Sequence, residues 1–236
     1  MMVYGQLVMM ESRNAFILIS LLLLCTYTVY KVAFPKVFKD LVSLNKLFGF
    51  KVKADLGSNL RPFSSEHLYF TALNSFSASF VALFMANSLG LKSQLPSFLV
   101  VDHYAIAIIQ WIALGVALNL MIYMKFLLIL FFGMLFDIKQ VISRHFVDMV
   151  NASLFFFILM IILITFTSFS SVIPNPKLVQ IAVVFTLIFY YYRSLLLFIR
   201  LLREHTHTRL YIFSYICATE LTPLTFGLVL LINSQV

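Results

Sequence analysis

Charge is scarce in this chain: Asp, Glu, Lys and Arg make up 11% of its 236 residues, while 62% are hydrophobic and 26 are Phe. No soluble core of this size requires such a composition, so a water-soluble globular domain is excluded at the outset. Cysteine is nearly absent as well. Cys25 and Cys217 both fall inside apolar runs and read as small buried side chains, which excludes a disulfide framework and a thiolate metal motif. The chain lacks H-E-x-x-H, G-x-S-x-G, a glycine-rich phosphate loop and any repeated acidic metal motif, and with them the usual sequence warrants for an enzyme. Internal repeats are missing, and the Ser and Thr clusters are too short to be linkers.

What remains is long apolar runs, in keeping with a mean hydropathy of +0.99. A bilayer core about 30 Å thick needs about 20 apolar residues per helix. These runs are continuously apolar and roughly twice the length of a barrel strand, which favours helices over a transmembrane barrel. The expected fold is all-α: a polytopic membrane protein forming one transmembrane domain over 1–236, with spans at Ala15–Phe34, Leu68–Leu91, Tyr104–Met124, Met149–Ile173, Leu178–Ile199 and Leu210–Ile232. The first of these reads as a retained span and not a signal peptide, because its basic cluster follows the run and no small-x-small cleavage site is evident. Met1, Met2, Met9 and Met10 each offer a start. The apolar piece Phe126–Phe136 is too short to cross, and suits a helix extension, a re-entrant piece or an interfacial segment.

The net charge of +8 reports orientation here and gives no reason to expect nucleic acid. With six spans, all 17 Lys and Arg except Arg13, Lys92 and Lys177 fall on one side of the membrane. A seventh crossing at 126–136 would divide them almost evenly and discard the positive-inside asymmetry. Six spans therefore place loops 35–67, 125–148 and 200–209 in the cytoplasm and both termini in the periplasm of a bacterial inner membrane. Within the first of those loops Val37, Phe38, Leu41, Leu44 and Phe48 recur at helical spacing between Pro35 and Gly49. An amphipathic cytoplasmic helix results. Lys36, Lys39 and Lys46, followed by Lys51 and Lys53, suit it to an anionic lipid surface; a docking surface for a partner is the other reading.

Two constellations stand out within the spans. Ala72, Ser75, Ser79, Ala82 and Ala86 are spaced three, four, three and four, a stripe of small side chains that lets a second helix approach closely and lets hydroxyls bond across. Asn74 and Asn119 should lie at similar depth and join that interface. The second constellation surrounds Glu220, which falls near the middle of the last span, where a carboxylate must face protein or water, pair with a cation, or be protonated. Pro223 leaves the carbonyl of Thr219 without its helical partner, so a kink is expected beside the acid. Span five brings Tyr190 to the same depth and Arg193 about one turn nearer the cytoplasm, so an Arg193–Glu220 pair is expected. The bland reading is a polar brace between spans five and six, and the sharper one is a proton or ion site.

Other motifs fail on inspection. His205-Thr206-His207 has only Glu204 nearby as a further ligand type, so neither a metal nor any other cofactor is expected. His145 beside Asp148 reads as a wet helix end. The run Tyr190-Tyr191-Tyr192-Arg193 fits an interfacial anchor as well as part of the Glu220 pocket.

The stretch Tyr215-Ile216-Cys217-Ala218-Thr219-Glu220, followed by Pro223 and Leu224, resembles the closing signature of a Bacteroidetes inner-membrane family, the domain of unknown function 4271. The six-span size and basic first loop extend the likeness over most of the chain. The resemblance implies a cell-envelope protein and carries over no catalytic residue. Absent catalytic motifs, small-residue faces and a basic cytoplasmic surface together favour a non-enzymatic component of an envelope complex, with membrane lipid and other membrane proteins as partners and protein export or membrane assembly as the expected setting. The alternative is a small proton- or cation-coupled transporter using Glu220.

Overall fold

A computed structural model describes residues 2–35, 38, 64–88, 101, 103–135, 139–169, 176–204, 209–217 and 220. Among them every regular element is helical: α1 (Met2–Ala33), α2 (Ser65–Ser88), α3 (Tyr104–Leu135), α4 (Lys139–Phe169), α5 (Pro176–Glu204) and α6 (Arg209–Ile216). Among the described residues three stretches are long and apolar enough to cross a membrane: Arg13–Ala33 of α1, Ser65–Ser88 and Tyr104–Leu135. The shorter apolar stretches Ala152–Phe166 and Val184–Ile199 lie within α4 and α5.

Consecutive helices run antiparallel. Phe16 meets Phe84 at one end of the α1–α2 contact and Tyr30 meets Phe70 at the other, with ring centroids 5.5 and 5.3 Å apart. Ser79 bonds to Trp111 of α3 while Thr71, further back along α2, bonds to Tyr123. Phe126 and Phe146 pair at 4.8 Å between α3 and α4, Phe156 stacks on Phe189 of α5 at 4.4 Å, and Phe198 meets Phe213 of α6 at 6.1 Å.

Helix α2 touches α1, α3, α4 and α5 and so occupies the centre of the bundle. Its small polar side chains explain how. Ser75, Ser77 and Ser79 are completely buried; Ser79 donates across to the Trp111 carbonyl at 2.8 Å, Ser77 shares a hydrogen bond with the Tyr27 hydroxyl at 2.8 Å, and Ser75 donates to its own helix at Thr71. Trp111 returns a bond from Nε1 to the Phe76 carbonyl at 2.9 Å. Gly115 completes the contact, because any side chain there would run into the Phe76 ring. In lipid, where helices gain nothing from hiding apolar surface from one another, such close approach and interhelical bonding are what hold them together.

Along the expected small-residue stripe Ser75 and Ser79 are buried, Ala72 and Ala86 half-buried and Ala82 exposed. A helix packed on several sides has no single buried stripe, and Ser77, Phe80 and Leu83 take part of the burial that one line of small residues implied. Asn74 is buried and Asn119 half-buried, at one level by the register set through Thr71–Tyr123 and Phe76–Gly115. Asn74 Oδ1 accepts no hydrogen bond, so the expected amide contact does not close on that atom.

Two segments depart from the expected boundaries. Phe126–Leu135 continues α3 without a break, which is the helix extension among the three readings of that piece and carries α3 past its expected end at Met124 to 32 residues, about 48 Å. The supposed loop 125–148 is thus mostly the ends of α3 and α4. A lysine alone does not end a helix, and nothing but Gly133 in that run disfavours one. Past α1, Phe34 and Phe38 keep the helical ladder going by donating to Tyr30 and Phe34 at 2.9 and 3.0 Å, despite Pro35 between them. The rest of the expected amphipathic helix, with Lys36, Lys39, Lys46, Lys51 and Lys53, lies outside the described residues, as does the last span beyond Glu220.

Candidate functional site

Glu220 is buried, with its side chain 6% exposed, and it collects two partners on one oxygen. Lys125 of α3 places Nζ 2.8 Å from Oε1, and His145 of α4 places Nε2 3.1 Å from the same atom. His145 is completely buried, and its other ring nitrogen, Nδ1, lies 2.5 Å from the hydroxyl of Tyr215 in α6. Helices α3, α4 and α6 each contribute a side chain to this contact set.

The chemistry of the atoms fixes who donates. A carboxylate paired with Lys125 can only accept, so Nε2 of His145 carries the proton that bridges to Glu220. In a neutral imidazole Nδ1 is then an acceptor, and the Tyr215 hydroxyl donates to it. The result is a directed chain from Tyr215 through His145 to Glu220, closed by the Lys125 ammonium.

Arg193 joins from α5 by another route. It donates from Nη1 to Ser153 Oγ at 2.6 Å, and its guanidinium stands 5.6 Å from the centre of the Tyr190 ring. Ser153 in turn donates to the Met149 carbonyl at 3.0 Å, so its hydroxyl has a lone pair for Arg193 and holds the guanidinium in place. The direct Arg193–Glu220 pair expected from sequence is thereby replaced by Lys125–Glu220, with Arg193 near enough for its charge to act on Glu220 and on Lys125. Tyr190 also belongs to this neighbourhood, since its hydroxyl feels both Arg193 and Glu220. Tyr191 and Tyr192 are exposed on the outer face, which separates the two readings of the tyrosine run.

Three further corrections follow from this geometry. His145, read as a wet helix end, has no exposed side-chain surface. Glu220 meets α3 at Lys125, inside the continuous apolar stretch Tyr104–Leu135 but nearer its Leu135 end than its middle. Along α3 this level is about 31 Å from Tyr104 and about 15 Å from Leu135. Lys125, counted from sequence as a loop cation, is drawn into the bundle with only 26% of its side chain exposed.

The backbone beside the acid is also unusual. Cys217 and Glu220 have π-helical winding, a wider turn that is rare in proteins and concentrates at functional sites. Pro223 and its expected kink lie outside the described residues.

A family model, the domain of unknown function DUF4271, matches residues 15–231. The chain belongs to that family. The match reaches from the first expected span to the last and takes in Lys125, His145, Arg193, Tyr215 and Glu220. No curated protein and no solved structure matches the chain.

Sequence reasoning missed Lys125, His145 and Tyr215. One signal was available: between Tyr104 and Phe136 Lys125 is the only charged residue, which marks it as a cation needing a partner inside the membrane. Nothing in the sequence pointed His145 and Tyr215 toward Glu220 in the same way, because that depends on how α4 and α6 meet.

Proposed function

We propose that this family member is a six-span bacterial inner-membrane protein that couples protonation of the His145–Glu220 pair to movement of a solute, without enzymatic chemistry. The observation that carries this reading is a single buried carboxylate oxygen shared by Lys125 at 2.8 Å and His145 at 3.1 Å. Coupled transporters keep several ionisable groups at the site. Lys125, His145, Arg193, Tyr190 and Tyr215 stand around Glu220 in that way.

The pair has two alternative arrangements, which a coupling device requires. A proton on Glu220 cancels its charge and releases Lys125. A proton on His145 forces Tyr215 to turn its hydroxyl from donor to acceptor. Either event changes which of α3, α4 and α6 hold one another, and so biases the bundle between two packings. The basic side of the sequence supports an orientation with both termini in the periplasm.

The test is proton flux into liposomes holding a pH-sensitive dye, with the full chain reconstituted and a pH step imposed. Wild type is expected to conduct well above empty liposomes, and Glu220→Gln to lose at least tenfold of that flux while remaining folded. Flux at the empty-liposome level in wild type, or full flux in Glu220→Gln, rules the reading out.

A second reading, assembly into an envelope complex concerned with export or membrane assembly, draws on one observation. Leu127, Leu128, Phe131, Met134 and Leu135 are all exposed on the end of α3 beyond Lys125, a surface that another membrane protein would cover. Stable partners recovered by mild crosslinking in native membranes, and lost on Phe131→Ser, would favour it.

A further inference from the structure

Among the described residues the cluster is short of negative charge: it brings together two cations, Lys125 and Arg193, and one carboxylate, Glu220, with the imidazole of His145 adding no negative charge. Glu220 is committed to Lys125 and His145. Arg193 holds only a neutral hydroxyl and the face of a ring, and among the described residues no carboxylate pairs with it. Charges inside a bundle are stable when compensated, so these described groups call for one further anion.

The donors left over have a definite form. A guanidinium offers five N–H groups in a rigid planar fork that matches phosphate and carboxylate oxygens two at a time. Ser153 anchors one end of that fork and Tyr190 covers a face of it, so the guanidinium is held for use. An unspent acceptor lies at the same level of the bundle. Counting equal distances from the Phe126–Phe146 contact puts Ser153 level with Asn119, and Asn119 is level with Asn74, whose Oδ1 is buried without a hydrogen-bond partner.

We propose that Arg193, seated on Ser153, binds the phosphate group of a ligand, with Asn74 accepting from a protonated phosphate oxygen. Phosphate is preferred to a carboxylate because a free or singly esterified phosphate still carries a hydroxyl near neutral pH, which can donate to Asn74 while the other oxygens meet the fork. The source is either a monoester lipid headgroup or a free phosphate in solution. In so far as it names the cargo, this rests on the transport reading above, but the binding site does not require it.

The experiment uses the full chain in phosphatidylcholine nanodiscs, with thermal unfolding followed by the fluorescence of Trp111, the chain's one tryptophan. Inorganic phosphate is titrated in one arm, and phosphatidic acid, a phosphate monoester, replaces part of the lipid in the other. A rise in Tm with phosphate assigns a soluble ligand, and a rise with phosphatidic acid alone assigns a headgroup. Arg193→Gln is expected to weaken either response about tenfold or more, the scale of losing a charge-assisted bond. Arg193→Lys keeps the charge without the fork and should fall between. Should Arg193→Gln fail to fold, Ser153→Ala frees the guanidinium with its charge intact and should weaken the response several-fold. No response from wild type in either arm, or an undiminished response in Arg193→Gln, overturns the proposal. Phosphate binding in a protein that passes no protons would end the transport reading and leave this site standing; proton flux without phosphate binding would do the reverse.

Discussion

Glu220→Gln isolates the contact that organises the site. Neutralising one member of a buried ion pair strands the other, at a cost of about 3–5 kcal/mol where both are fully enclosed. Lys125 keeps 26% of its side chain exposed, and its flexible stem lets the ammonium move toward water, so the cost here falls to about 2–3 kcal/mol. In a chain of this length each kcal/mol shifts Tm by about 2–4 °C. Glu220→Gln should therefore lower Tm by about 4–12 °C, read from Trp111 fluorescence in mild detergent. Lys125→Met strands the carboxylate instead and should cost at least as much, because Glu220 is the more buried partner. The double variant removes both charges and should lose far less than the two single losses together, giving a coupling of about 1.5 kcal/mol or more. Arg193→Gln combined with Glu220→Gln should show less than half that coupling, since those two side chains act on each other only across space. Equal coupling in the two cycles, or a Glu220→Gln variant within 1 °C of wild type, would refute the assignment of Lys125 as the direct partner.

Two packing predictions follow from the centre of the bundle. Gly115→Ala drives a methyl group into the Phe76 ring and should destabilise the chain by about 1–3 kcal/mol in the same unfolding assay, and Phe76→Leu in the same chain should recover part of the loss by withdrawing the ring. Tyr27→Phe removes the hydroxyl that meets Ser77 and should cost about 0.6 kcal/mol, the usual scale for an interhelical hydrogen bond in lipid, with Ser77→Ala adding almost nothing further.

Apolar run lengths made the helices legible, because hydrocarbon leaves a backbone few other ways to satisfy its hydrogen bonds. Their ends were less so. Met124 looked like an end only because Lys125 follows it, and a charged residue stops a span only when its charge has nowhere else to go. Here Glu220 supplies the destination, so α3 runs on to Leu135. The same error of context put His145 in water. Beside Asp148 in sequence it reads as solvated, yet it is enclosed between Tyr215 and Glu220, residues 70 and 75 positions away. Glu220 itself was legible as a group needing a partner, because the cost of an intramembrane carboxylate is a local property. Which cation answers it is not local.

Choosing Arg193 from depth alone assumed that α5 supplies the acid's partner, although α3 and α4 also reach it. Arg193 instead reaches Ser153 on α4, eight positions past His145 and so about 12 Å further along that helix. The cations thus occupy two levels, Lys125 beside the carboxylate and Arg193 deeper beneath it. That separation gives the cluster a direction. A proton arriving at the His145–Glu220 level frees Lys125, raises the positive charge of the whole cluster, and strengthens the pull on an anion at the Arg193 level. Binding of the anion in turn makes that proton easier to hold, because linkage between two sites is reciprocal. Wild-type protein should therefore bind phosphate more tightly as pH falls through the range in which the pair takes up a proton. Glu220→Gln, permanently neutral at that position, should bind tightly with little dependence on pH. Phosphate affinity with the same pH dependence in both proteins would show that the two levels are not coupled.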